Sequence, residues 1–211
     1  MGKHDFGTKH NRCLEPALNI GVNNTDLMKL YSKINSGDIL LTQTSGFVYK
    51  LWRKLSCTTY DHTAVVLENN ETMNVVYPVA KKLPASHFFR PDKSVVVLRP
   101  VWKKDEQLKE FLMYMNQLEG THYAYLRGII NVSNMVIYHR LGLKFPLGVP
   151  NPMSKRWVCT DAIIFHLQRV MPEFSKINKL DLDLFRFGFT SPNDFLRIAY
   201  FLPDLLKKVE L

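Results

Sequence analysis

Cys159 stands at the front of Arg156-Trp157-Val158-Cys159-Thr160-Asp161-Ala162-Ile163-Ile164-Phe165-His166-Leu167, a segment whose apolar residues recur at helical spacing. A thiol in the first turn of a helix meets free backbone N–H groups and the positive end of the peptide dipoles. Both favour the thiolate and offer donors to a developing oxyanion. Cys is also among the most buried residue types, so the same position suits plain core packing. A base would separate the two readings, because an imidazole beside the sulfur takes its proton and holds the thiolate as an ion pair. His166 lies on the same helix but about 10 Å away by the helical rise, too far to serve. His62 opens an apolar run directly after a polar turn, a rigid position from which a ring can meet a helix terminus. His87, His122 and His139 fall in less defined segments, and His4 and His10 have no partner at metal-ligand spacing.

Elements must bring such a pair together. Leu27, Leu30, Tyr31 and Ile34 predict a short helix from Thr25, and the turn Asn35-Ser36-Gly37-Asp38 leads into a buried strand, Ile39-Leu40-Leu41-Thr42. Gly46 to Leu55 has helical spacing again, with Phe47, Val48, Leu51, Trp52 and Leu55 on one side. His62 to Leu67 reads as a second strand, Asn69-Asn70-Glu71 as a hairpin turn, Met73 to Tyr77 as a third strand and Ser94 to Arg99 as a fourth. Asp105 to Leu118 is an amphipathic helix closed by Gly120, and His122 to Leu141 is helical in part. A proline and glycine cluster at 146–152 precedes the Cys159 helix. Ser191 with Pro192 and Asp194 then caps a last helix through Phe201. Strands early and helices late predict an α+β fold with an antiparallel sheet. Residues 1–24 are expected to form a flexible arm and 25–211 a single domain.

The 211 residues carry 28 Lys and Arg against 19 Asp and Glu, a formal charge of +9, spread as short pairs such as Lys81-Lys82 and Lys207-Lys208. That pattern gives a diffuse attraction to anionic surfaces, with no dense run and no recognisable nucleic-acid motif, so no specific nucleic acid is expected. Three cysteines, Cys13, Cys57 and Cys159, suit neither a disulfide framework nor a zinc ribbon, and no metal or organic cofactor is implied. With neither a signal-peptide pattern nor an apolar run of about 18 residues, the reading is cytoplasmic, with peripheral attachment to membranes left open. The oligomeric state stays undetermined.

Three segments, in this order, resemble the circularly permuted papain-like amidases of the NlpC superfamily, in the YiiX/YaeF branch to which a poxviral protein group is also similar. Gly37-Asp38-Ile39-Leu40-Leu41-Thr42-Gln43 resembles the opening glycine, aspartate and apolar strand. Asp61-His62-Thr63-Ala64-Val65-Val66 resembles the His-bearing strand, and Trp157-Val158-Cys159-Thr160-Asp161 the start of the nucleophile helix. Thr190-Ser191-Pro192-Asn193-Asp194-Phe195 is similar to a threonine-proline-x-aspartate segment that closes such domains. The matches span residues 37 to 200, and a Cys that follows the His is the order of the permuted enzymes.

The resemblance implies a permuted papain-like fold, Cys159 as nucleophile and His62 as base. Its third member, a Glu in many relatives, aligns with Tyr77, and Asn74 is the second candidate. A neutral partner stabilises an imidazolium less than a carboxylate does. Gln43 ends the first strand, where its amide could serve the oxyanion or simply terminate the strand. Neighbouring strand residues face opposite ways, so Asp61 is not expected to orient His62, and Asp38 is expected to close its turn. The function expected is a thiol-dependent hydrolase or acyltransferase acting through an acyl-enzyme on a peptide-type amide or a lipid acyl group. The aromatic and apolar residues between 121 and 156 (Tyr123, Tyr125, Tyr138, Phe145, Leu147) would line its pocket, and the positive charge favours an anionic membrane surface as partner. The alternative is a catalytically silent module that binds a partner in the same cleft.

Overall fold

The computed structural model describes residues 24–56, 58–141, 156–174 and 191–211. The expected N-terminal arm, the 146–152 cluster, Phe145, Thr190, Cys13 and Cys57, and the Tyr138 side chain lie outside the described residues.

An antiparallel six-stranded sheet organises the chain, in the order β4-β3-β2-β1-β5-β8. Its strands are β1 (Ile39–Thr42), β2 (His62–Val66), β3 (Glu71–Asn74), β4 (Lys81–Pro84), β5 (Val95–Pro100) and β8 (Leu206–Lys208). β1 is central, with Ile39 opposite Val65 on one side and opposite Leu98 on the other. Burial on both faces is why β1 is apolar at its first three positions, with Thr42 buried at its end. Ile39 and Leu41 join the cluster under α3 (Asp105–Asn116), α5 (Cys159–Val170) and α6 (Pro192–Phe201). Leu40 joins the smaller cluster of Leu27 and Leu30 of α1 (Asn24–Tyr31) with Phe88 and Phe89. The architecture is mixed α+β, with six α-helices among the described residues.

Gly37 shows why the turn before β1 needs its residue. Its φ is +87° and an added Cβ would come within 2.5 Å of the Leu108 side chain. Asp38 closes that turn through the Asn35 N–H at 2.8 Å, as its position predicts, and is also gripped by Arg99 of β5, whose Nε and Nη2 each lie 2.8 Å from its carboxylate.

The structure departs from the sequence pattern in four places. The expected third strand ends at Asn74, short of Tyr77. β4 (Lys-Lys-Leu-Pro) and β8 (Leu-Lys-Lys) are edge strands without apolar alternation, held by pairing to β3 and β5. A second, parallel pair joins β6 (His122–Tyr123) to β7 (Arg156–Trp157), with Tyr123 opposite Trp157. Finally, α2 (Phe47–Ser56) forms where its spacing predicts, yet Ser56 is its one fully buried residue and its apolar side lies at the surface beside α4 (Tyr125–Leu141).

Candidate active site

The site is built where the N-terminus of α5 meets the start of β2. Val158 is extended and caps α5, so Cys159 is the first helical residue and its own N–H belongs to the unpaired first turn. Cys159 is 5% exposed. The imidazole of His62 and the backbone N–H of Thr63 neighbour the sulfur and act on its ionisation. The Thr63 hydroxyl is buried with no hydrogen-bond partner and neighbours the same sulfur.

The second nitrogen of His62 is engaged from β3. Its Nε2 meets the side-chain oxygen of Asn74, and since that oxygen can only accept, Nε2 carries the hydrogen. Nδ1 is then the nitrogen left for the thiol. The register explains the approach: Ala64 is opposite Asn74, so His62 and Asn74 are diagonal neighbours on one face of the β2–β3 pair. Tyr77, aligned above as the third member, is instead 72% exposed with its ring 6.0 Å from that of Tyr125. The correction follows from pairing: β3 leaves the ladder at Asn74, and no strand geometry carries Tyr77 back toward His62.

Electrostatics at the pair favour the charged forms. Burial pushes the Cys159 thiol up, but the His62 hydrogen bond, the imidazolium charge and the Thr63 donors outweigh it, and the net shift is downward. Burial pushes His62 down, and contact with Cys159, the Asn74 hydrogen bond and the charge of Asp61 together bring it above its ordinary value. Burial, followed by the charges of Cys159, Asp161 and Tyr49, drives Tyr123 far up, so its phenol stays protonated.

Three further contacts hold the pieces in place. Asn193, at the start of α6, accepts the Thr59 and Tyr60 N–H groups at 3.1 Å each and so clamps the chain just ahead of His62. Asp61 pairs with Arg53 of α2 and accepts the Thr44 N–H at 2.8 Å, so it serves the loop and helix rather than the imidazole hydrogen bond. Asp161, in the first turn of α5, pairs with Arg127 of α4 at 2.7 Å, both side chains largely buried. Gln43 follows Thr42, which is opposite His62, so it sits at the same end of the sheet; its backbone N–H donates to Ser94 at 3.3 Å. His166 is apart from this cluster, stacked on Tyr114 and tilted against Trp157. Sequence reasoning missed Thr63 and Asn193 as parts of the site, while Tyr123 was expected there only as a pocket-lining aromatic. For Asn193 the signal was its place beside the Ser191-Asp194 capping box.

The fold and site define an α+β protein with a Cys-His-Asn chain at a helix N-terminus, and comparison with known proteins adds the fold relationship. No family model matches the chain, and no curated protein matches it. Among solved structures it is similar to the metalloprotein YiiX (DUF1105) from Escherichia coli O157:H7, with a TM-score of 0.51, 13% identity, and coverage of 83% of this chain and 96% of that one. At that identity the likeness shows a YiiX-like fold alone. Among the described residues no group of three or more His, Cys, Asp and Glu side chains is arranged to hold a metal. No described helix is long and apolar enough to cross a membrane.

Proposed function

We propose that this protein is a cysteine-dependent hydrolase or acyltransferase of the permuted papain-like, NlpC-superfamily kind. The observation that carries the reading is the continuous chain from Cys159 through His62 to Asn74. The YiiX-like fold and the order of strand histidine before helix cysteine support it.

In this mechanism Nδ1 of His62 holds the thiol proton, and the sulfur attacks a carbonyl carbon, forming a C–S bond and an oxyanion. The Cys159 N–H at the helix terminus is one donor to that oxyanion, and the Gln43 amide is the candidate for a second. Collapse breaks the bond to the leaving nitrogen or oxygen, which takes the proton from the imidazolium, and a thioester remains. Water or another acceptor gives its proton to His62, attacks the thioester, and expels the thiolate. Asn74 keeps the ring in the tautomer whose Nδ1 is free, the service that the Asp of a serine triad performs with charge. A neutral partner suits a pair that already supplies its own counter-charge, because thiolate and imidazolium stabilise each other.

The test is alkylation of Cys159 by iodoacetamide across pH, read by mass spectrometry, together with hydrolysis of amide and thioester or ester acyl substrates. Reaction well below the ordinary thiol pKa near 8.5, lost in His62→Ala, is the expected result. A Cys159 that is inert until alkaline pH would leave the silent binding module as the reading.

A further inference from the structure

Most of the large apolar side chains at the described surface are gathered in one place. Phe47 (79% exposed), Val48 (67%), Tyr49, Leu51 and Leu55 of α2 join Tyr125, Leu126 (75%), Ile129 and Ile130 of α4, with Tyr77 against Tyr125. Single exposed apolar residues need no explanation, but a contiguous set on two packed helices marks a docking surface. Between the helices lies an open cleft of about 330 Å³ lined by Trp52, Leu55, Ile129, Ser133, Val136 and Ile137. Its lining is apolar but for one hydroxyl, and its size is that of a ligand pocket.

Charge identifies the occupant. Neither helix contains an acidic residue: α2 reads Phe-Val-Tyr-Lys-Leu-Trp-Arg-Lys-Leu-Ser and α4 reads Tyr-Leu-Arg-Gly-Ile-Ile-Asn-Val-Ser-Asn-Met-Val-Ile-Tyr-His-Arg-Leu. Lys50 and Lys54 stand exposed among the apolar side chains of α2, on a chain of formal charge +9. A protein partner of ordinary surface would meet such a face with acids and apolar groups in fixed places. An anionic bilayer meets it with both everywhere, phosphates for the lysines and acyl chains for the rings.

The same face is tied to the reacting groups. Arg53 of α2 pairs with Asp61, the residue before His62, and Arg127 of α4 pairs with Asp161, two residues after Cys159. Each helix is therefore anchored by a largely buried ion pair to one half of the site. We propose that the α2–α4 face docks on an anionic phospholipid bilayer and presents the Cys159 site to lipid acyl groups. The substrate half of this statement rests on the cysteine mechanism above; the docking half does not.

Full-length Cys159→Ser protein is sedimented with vesicles of phosphatidylcholine alone and of phosphatidylcholine with phosphatidylserine. It should bind the anionic vesicles, less so as salt rises, and a Lys50→Glu/Lys54→Glu variant should bind about tenfold more weakly or worse. Phe47→Ser/Leu126→Ser should weaken binding to a similar degree while its circular dichroism stays that of the parent, since both side chains are exposed. Absence of binding to anionic vesicles overturns the proposal, as does binding that neither double variant weakens. A dimer in light scattering that Phe47→Ser/Leu126→Ser dissolves, without vesicle binding, would show a second copy to be the occupant and overturn it too. Binding is read with the thiol removed, so its failure leaves the cysteine mechanism standing, and an inert Cys159 leaves the docking standing.

Discussion

Asn74 accepts the Nε2 hydrogen of His62 from the neighbouring strand, and this cross-strand contact decides which ring nitrogen is turned to Cys159. Asn74 is buried with its side chain committed to the ring, so its removal frees the imidazole without emptying a large volume. Asn74→Ala is expected to lower turnover about a hundredfold through misplacement of the ring, with little change in substrate KM. Asn74→Asp would place a carboxylate on the imidazolium and raise the His62 pKa further, which imidazole NMR titration would register as an upward shift. The stability contributed by that raised pKa is complete below the unfolded value of about 6.5 and is lost as pH rises through the folded one.

Cys159 and Thr63 make a second test. The thiol is held below its ordinary pKa despite burial, so alkylation is expected to persist as pH falls beneath the usual thiol range. Thr63→Val removes the hydroxyl and leaves the backbone N–H, and should move the alkylation profile upward. His62→Ala should move it further and reduce turnover by about 10²- to 10⁴-fold. A Thr63→Val profile identical to that of the parent would remove Thr63 from the account.

The Arg127–Asp161 pair is a structural test with a separate readout. Arg127→Met removes the ion-pair partner of a buried carboxylate in the first turn of α5, and urea denaturation should show a loss of about 3 kcal/mol. Arg127→Met combined with Asp161→Asn should recover part of that loss, because the buried charge that lost its arginine is gone. If the single and double variants are equally unstable, the pair's value lies in packing rather than charge.

His166 gives a pH prediction away from the site. Burial, with the charge of Arg169, lowers its pKa to about 4, and both its ring nitrogens lack hydrogen-bond partners. The unfolded chain binds that proton near pH 6.5, so the neutral ring's contribution is full above 6.5 and is lost as pH falls from there toward about 4. Denaturant unfolding of His166→Phe should show a flatter acid limb, the difference amounting to about 2–3 kcal/mol by pH 4. Equal limbs in the two proteins would mean that His166 does not titrate alone.

Local chemistry determined much of this protein without reference to the fold. The β1 run is apolar from Ile39 to Leu41, the Ser191 and Asp194 box starts α6, and both elements form at the expected residues because each signal acts within a few residues of itself. Cys159 at a helix start and His62 at a strand start were legible for the same reason. The tertiary structure decided what depends on register. Asn74 and not Tyr77 reaches His62 because β3 pairs with Ala64 at Asn74 and then leaves the ladder, a matter of strand alignment that no single-strand pattern encodes. β4 and β8, whose charged residues carry no alternation, exist through partners. The apolar side of α2 was visible in its spacing, but spacing cannot say which way a helix turns. Packing put that side at the surface beside α4 because the larger core was already closed by α3, α5 and α6, and Arg53 was drawn inward to Asp61.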